Sequence, residues 1–204
     1  MKLGDTYKTI EQPAEGLSKD KGSKFLAYAY PFTDEEELKT RIAELKDLHP
    51  KARHHCWAYR LTPDRSIFRA NDDGEPSGSA GKPILNTLLS NDVTNILVVV
   101  VRYFGGTLLG VPGLINAYKA ATQEALNAAE VVEKQVKQKY ALRFDYLQMN
   151  DVMRVMKEEP VTILKQEFDN QCLIEFTIRL SLSESVAGRL QKIEGIELES
   201  IGLI

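Results

Sequence analysis

The chain has 204 residues, 43% of them hydrophobic and 27% charged, with 26 lysines and arginines against 29 aspartates and glutamates, for a net charge of −3. That balance excludes wholesale disorder, collagen-like repeats and a general coat of positive charge, while leaving room for a local basic patch. Two cysteines, Cys56 and Cys172, are too few for a disulfide framework or a four-thiolate zinc site, and they fit a reducing compartment. The opening residues MKLGDTYKT lack the apolar run of a signal peptide, and the longest strongly apolar run, residues 96–101, is far too short to span a membrane. The expectation is a soluble cytoplasmic protein with no membrane partner.

In chain order, residues 22–30 predict a strand that ends at Pro31. Thr33 with Glu36 has capping-box spacing, and Leu38, Ile42, Leu45 and Leu48 form one stripe of the helix that follows. Residues 56–61 and 66–70 read as strands, joined by the turn Thr62-Pro63-Asp64-Arg65. Residues 71–81 read as a loop, followed by a short helix carrying Ile84, Leu85, Leu88 and Leu89. Residues 96–101 show no alternation and predict a strand buried on both faces. Gly105, Gly106 and Gly110 break the chain, and Pro112 is placed to open a helix with Leu114, Tyr118, Ala121, Ala125 and Val132 on one face. The charged stretch 133–139 reads as a linker. Beyond it the elements run strand, helix, strand, strand, helix, strand. Asn150 is expected to cap the first of these helices, and Ser181 with Glu184 to cap the second. Asp169-Asn170-Gln171 is expected to form the hairpin turn between the middle strands. This βαββαβ order matches the ferredoxin-like split motif. Residues 1–137 hold 18 basic and 18 acidic side chains, whereas residues 138–204 hold 8 and 11.

The loop Asp72-Asp73-Gly74-Glu75-Pro76-Ser77-Gly78-Ser79-Ala80-Gly81-Lys82-Pro83 invites a phosphate-loop reading that fails twice. Pro76 stands where the first glycine belongs, and Pro83 where Ser or Thr would hold magnesium. It is not a nucleophile elbow either. What remains is a run of backbone N–H groups leading into a helix N-terminus, either a plain structural turn or a cradle for an anion. Arg102-Tyr103-Phe104-Gly105-Gly106 follows the buried strand. Its arginine offers a bidentate fork to phosphate or carboxylate, and its glycines allow close packing or close approach to a ligand. His54 and Cys56 share a strand face and carry metal-binding or nucleophilic atoms, although a packed cysteine and a hydrogen-bonded histidine are the more common arrangement. Trp57, Tyr59 and Phe68 interleave with Arg53, Arg60 and Arg69, a mixture suited to single-stranded nucleic acid.

Three blocks in order, Arg53-His54-His55-Cys56-Trp57-Ala58-Tyr59, the 72–83 loop, and Val99-Val100-Val101-Arg102-Tyr103-Phe104-Gly105-Gly106, resemble the signatures of the YigZ/IMPACT family. The sequence departs from the family pattern at Val111-Pro112-Gly113. The resemblance implies an α+β protein of two domains. The first, 1–134, would have the left-handed βαβ fold of ribosomal proteins and of domain IV of elongation factor G. The second, 138–204, would be ferredoxin-like, similar to domain V of that factor. Eukaryotic relatives regulate translation by competing for a partner of the general amino-acid-control kinase, using an additional N-terminal domain.

These readings point to a translation-linked binding protein that engages RNA or a ribonucleoprotein such as the ribosome, with no catalytic residue, metal or cofactor. Arg53, His54, Lys82 and Arg102 would contact phosphate. Gly78, Gly81, Gly105 and Gly106 would admit it closely, with Ser77 beside them, and Asp72, Asp73 and Glu75 would order the loop by pairing with arginine. The two glycine-containing bends are expected to converge, with Arg102 open to the ligand. The alternatives are a small-molecule hydrolase built on His54, Cys56 and the acidic loop, and an adaptor for translation-associated proteins.

Overall fold

The computed structural model describes residues 4–169 and 171–204, and it divides into two compact units, Tyr7–Lys134 and Gln135–Ile204 with the N-terminal residues through Thr6. Three sheets and five α-helices make up the described residues.

In the first unit, β1 (Thr6–Ile10) pairs with β7 (Val131–Gln135). The main sheet has the order β2-β3-β6-β4-β5, with β2 at Ala14–Asp20, β3 at Ser23–Pro31, β4 at His54–Leu61, β5 at Ile67–Asn71 and β6 at Ile96–Tyr103. Every neighbouring pair is antiparallel, so β3 and β4 run parallel to each other on either side of β6. Burial on both faces explains the unbroken apolar run of β6. One face carries Phe25, Ala27, Cys56, Ala58, Val98 and Val100 against α2 (Gly81–Ser90) and α3 (Gly110–Ala128). The other carries Tyr28, Tyr59, Leu97, Val99 and Val101 against α1 (Leu38–Leu48). Residues Ile96–Val101 are each fully buried, the burden of a central strand between two helical layers.

The second unit follows the order β8 (Lys137–Phe144), α4 (Met149–Glu158), β9 (Thr162–Phe168), β10 (Cys172–Arg179), α5 (Leu180–Leu190), β11 (Glu197–Leu203), with sheet order β11-β8-β10-β9. Its pairs are antiparallel, and its core gathers Leu142, Phe144, Ile174 and Phe176 with Val152, Val155, Val186 and Leu190 of the helices. The turn expected at Asp169-Asn170-Gln171 includes Asn170, which lies outside the described residues.

Several expected details differ. Asp34, not Thr33, opens the first helical segment: its carboxylate accepts the Glu36 N–H at 2.9 Å, and a short 3-10 turn at Glu35–Glu37 precedes α1. Leu48 turns outward at 64% exposure, because the stripe of α1 has run off the sheet by its last turn. Val132 belongs to β7 rather than α3. The charged stretch 133–139 is not a linker but parts of two strands, whose backbone pairing tolerates alternating charges on their solvated sides. Asn150 lies inside α4, one position beyond its start. Helix α5 takes no cap from its own Ser181–Glu184 spacing. Asp5 supplies it instead, accepting the Ser181 N–H and hydroxyl at 2.8 Å each and pairing with Arg179 at 2.9 Å. The Ser181 hydroxyl bond holds the Asp5 carboxyl below the usual carboxylate range.

Candidate functional site

The 72–80 loop joins β5 to α2, and three carboxylates shape it. Asp72 accepts the backbone N–H groups of Gly78 (2.8 Å), Ala80 (3.0 Å) and Gly81 (2.8 Å). The amides expected to cradle a foreign anion are therefore occupied by the chain's own carboxylate, which also caps α2 and suits the positive end of its dipole. Gly81 lets this helix start lie against β5: a Cβ there would stand 2.7 Å from the Asn71 nitrogen. Asp73 accepts the His55 N–H at 2.7 Å, and its carbonyl lies 2.9 Å from His54 Nδ1.

Glu75 points inward. Its Oε1 accepts from Arg102 at 2.6 Å and from the Tyr118 hydroxyl at 2.8 Å, with Glu75 and Arg102 side chains only 3% and 8% exposed. The Cys56 thiol sits 3.2 Å from the Tyr118 oxygen and 3.0 Å from the Asp72 carbonyl. Burial pushes the Cys56 thiol and the Tyr118 hydroxyl far up, so both stay protonated. Arg102 is thus not the open fork expected from the sequence, because its charge is met by Glu75. The guanidinium lies 5.6 Å from the Phe25 ring centre and 5.7 Å from that of Phe104, and its Nε has no partner.

Arg102 still forms one wall of a cleft of about 510 Å³, lined also by Lys51, Arg53, His54, Tyr103, Phe104 and Leu108. The register explains the gathering: His54 at the start of β4 stands opposite Arg102 near the end of β6. Lys51 and Arg53 are exposed, and Phe104 and Leu108 present 58% and 83% of their surface. No carboxylate is among the lining residues. Behind the cleft, the Tyr103 hydroxyl meets His49 Nδ1 at 2.9 Å, and Tyr28 meets His49 Nε2 at 2.7 Å.

The expected residues therefore divide. Arg53, His54 and Arg102 come together, with Glu75 and Asp73 bonded behind them. Gly78 and Lys82 line a different groove, and Ser77 is exposed. Gly105 packs on the β2–β3 turn, where a Cβ would stand 2.0 Å from the Gly22 carbonyl carbon, and Gly106 faces open space. The two bends share the buried Glu75–Arg102 pair but open into separate clefts. The basic strand also divides: Arg60 and Arg65 turn to Asp92 (3.8 and 2.8 Å) at the end of β4 away from Arg53. Tyr59 is buried and Trp57 stacks on it, leaving Phe68 exposed on β5. Lys51, Tyr103, Phe104 and Leu108 are the cleft residues missing from the expected set. Large apolar side chains inside a glycine-broken loop are the signal that marks Phe104 and Leu108.

The Cys56–His54 pair that the hydrolase alternative offers does not form. Cys56 faces Tyr118 and Asp72, while His54 faces the Asp73 carbonyl, so they form no nucleophile pair. Among the described residues, no three His, Cys, Asp or Glu side chains gather as a metal-holding group.

The Impact N-terminal domain family model matches residues 21–126, more than half of the chain, and that segment contains every residue of the cleft. The chain belongs to the IMPACT family. An IMPACT family member of Haemophilus influenzae is 37% identical over 182 residues, covering 83% of this chain and 87% of its own. The crystal structure of a hypothetical protein aligns with 98% of this chain and 99% of its own, at 27% identity and a TM-score of 0.74. The two-domain translational regulator Yih1 is 28% identical, with 60% of this chain and 47% of that one covered and a TM-score of 0.36. Within this IMPACT-family chain, no helix among the described residues is long and apolar enough to cross a membrane.

Proposed function

We propose that this IMPACT-family chain is a translation-linked regulatory binding protein that takes RNA in the cleft of Lys51, Arg53, His54, Arg102 and Phe104. The cleft itself carries the reading: exposed cations and an exposed aromatic ring share one acid-free recess. Lys51 and Arg53 meet phosphates, and a base stacks on Phe104. Arg102 acts as a positioning residue, fixed by Glu75 and holding the Phe104 ring from behind. The link to translation rests on membership of the IMPACT family, whose eukaryotic members the sequence resemblance reads as translation regulators. On the same reading the chain comprises two domains, 1–134 and 138–204, comparable to domains IV and V of elongation factor G. The βαββαβ order of the second unit supports that comparison, and the protein works in the cytoplasm where ribosomes are.

Anisotropy titration of a labelled single-stranded RNA against salt tests the proposal. Binding should weaken steeply with salt, and the Lys51→Ala/Arg53→Ala double variant should lower the slope by about 1.4, at about 0.7 per phosphate contact. Phe104→Ala should weaken binding by roughly 5- to 150-fold, the worth of one stacked base. A flat salt response, or a double variant that binds as the parent does, would overturn it.

A further inference from the structure

A second groove lies on the helical side of the first unit. It has a volume of about 580 Å³, and its walls include Lys82 and Asn86 of α2 with Ile115, Asn116 and Lys119 of α3. Like the cleft, it has no carboxylate among its lining residues. Both lysines are exposed.

Exposed apolar side chains stand between the two recesses along the chain. Leu108 lines the cleft, Ile115 lines the groove, and Val111, 46% exposed, stands one helical turn before Ile115. The start of α3 lies within this stretch. It has no side-chain cap and no acidic residue in its first turn, unlike the start of α2, which Asp72 occupies. Its positive dipole end therefore remains open to an anion. At the cleft end, the buried Arg102 keeps an unpartnered Nε.

We propose that the cleft and the groove are two ends of one track for single-stranded RNA, which passes over Leu108, Val111 and Ile115 and delivers its later phosphates to Lys119 and Lys82. This rests on the RNA reading of the cleft. The nine steps from Gly110 to Lys119 span about 14 Å of helix, which a stacked strand covers in about four nucleotides at 3.4 Å each. A tetranucleotide seated in the cleft is too short to use the groove, whereas a dodecanucleotide reaches it. The exposed apolar side chains select single strands, because only unpaired bases can turn their faces onto side chains.

The experiment compares tetra- and dodeca-uridylate on the full chain and on the Lys82→Ala/Lys119→Ala variant. Comparing the two proteins cancels the extra binding registers of the longer probe. The variant should lose about tenfold in dodecanucleotide affinity and about 1.4 in its salt slope, with no matching loss for the tetranucleotide. If both probes bind in an Arg53-dependent way and the variant matches the parent, the track is overturned and the cleft reading stands. If neither probe binds, both fall.

Discussion

The two glycine-rich bends of the first unit look alike in sequence and behave oppositely in the fold. The 72–80 loop is closed upon itself: Asp72 holds three amides and Glu75 reaches inward to Arg102 and Tyr118. The stretch from Phe104 to Gly110 is open, with Phe104 and Leu108 in solvent and an uncapped helix behind them. The difference teaches that backbone amides at a helix start do not make an anion site by themselves. Whether a carboxylate from the same chain has already taken them decides the matter.

The largest effect expected from breaking this contrast comes from Glu75→Ala. It leaves the buried Arg102 unpaired and should cost about 3–5 kcal/mol in urea denaturation. A loss below 1 kcal/mol would mean that the pair contributes little to the closed loop. Asp72→Ala comes next, at about 2 kcal/mol for a strong helix cap. The same variant sharpens the contrast, because its freed amides should let added phosphate raise the melting temperature by more than it does in the parent. Equal responses would show that Asp72 does not block the amides.

The smallest effect concerns His49 and His55. Burial lowers the pKa of both. For a base depressed by folding, the unfolded chain takes up the proton first. Stability is therefore complete above the unfolded value near 6.5 and declines as pH falls through it toward the lower folded values. The melting temperature should drop between pH 7.5 and pH 5.5, as pH falls below about 6.5, and His49→Gln should make that drop shallower. An unchanged slope would show that the contacts of His49 with Tyr28 and Tyr103 do not depend on its neutrality.

Strands β3, β4 and β6 and helices α2 and α3 were legible because their apolar residues fall in long or periodic runs. Strands β1, β2 and β7 were not. The residues of β2 alternate between half-buried and exposed with no fully buried member, so the sequence carries no apolar signal above that of a loop. At the site, the residues of the β4–β6 register were legible as motifs. The role of Asp72 was not, since its acceptors serve amides six to nine residues on, beyond the two or three residues that capping patterns encode. The Arg102–Glu75 pair joins positions 27 apart, and nothing local announces it.

The Asp5 cap on α5 has a consequence for how the second unit is made. Its helix is completed by a carboxylate 176 residues before Ser181, so this unit draws on both ends of the chain. A fragment cut at the start of β8 would lack the side chain that finishes the helix, and restoring it calls for grafting a short acidic leader rather than merely moving the cut.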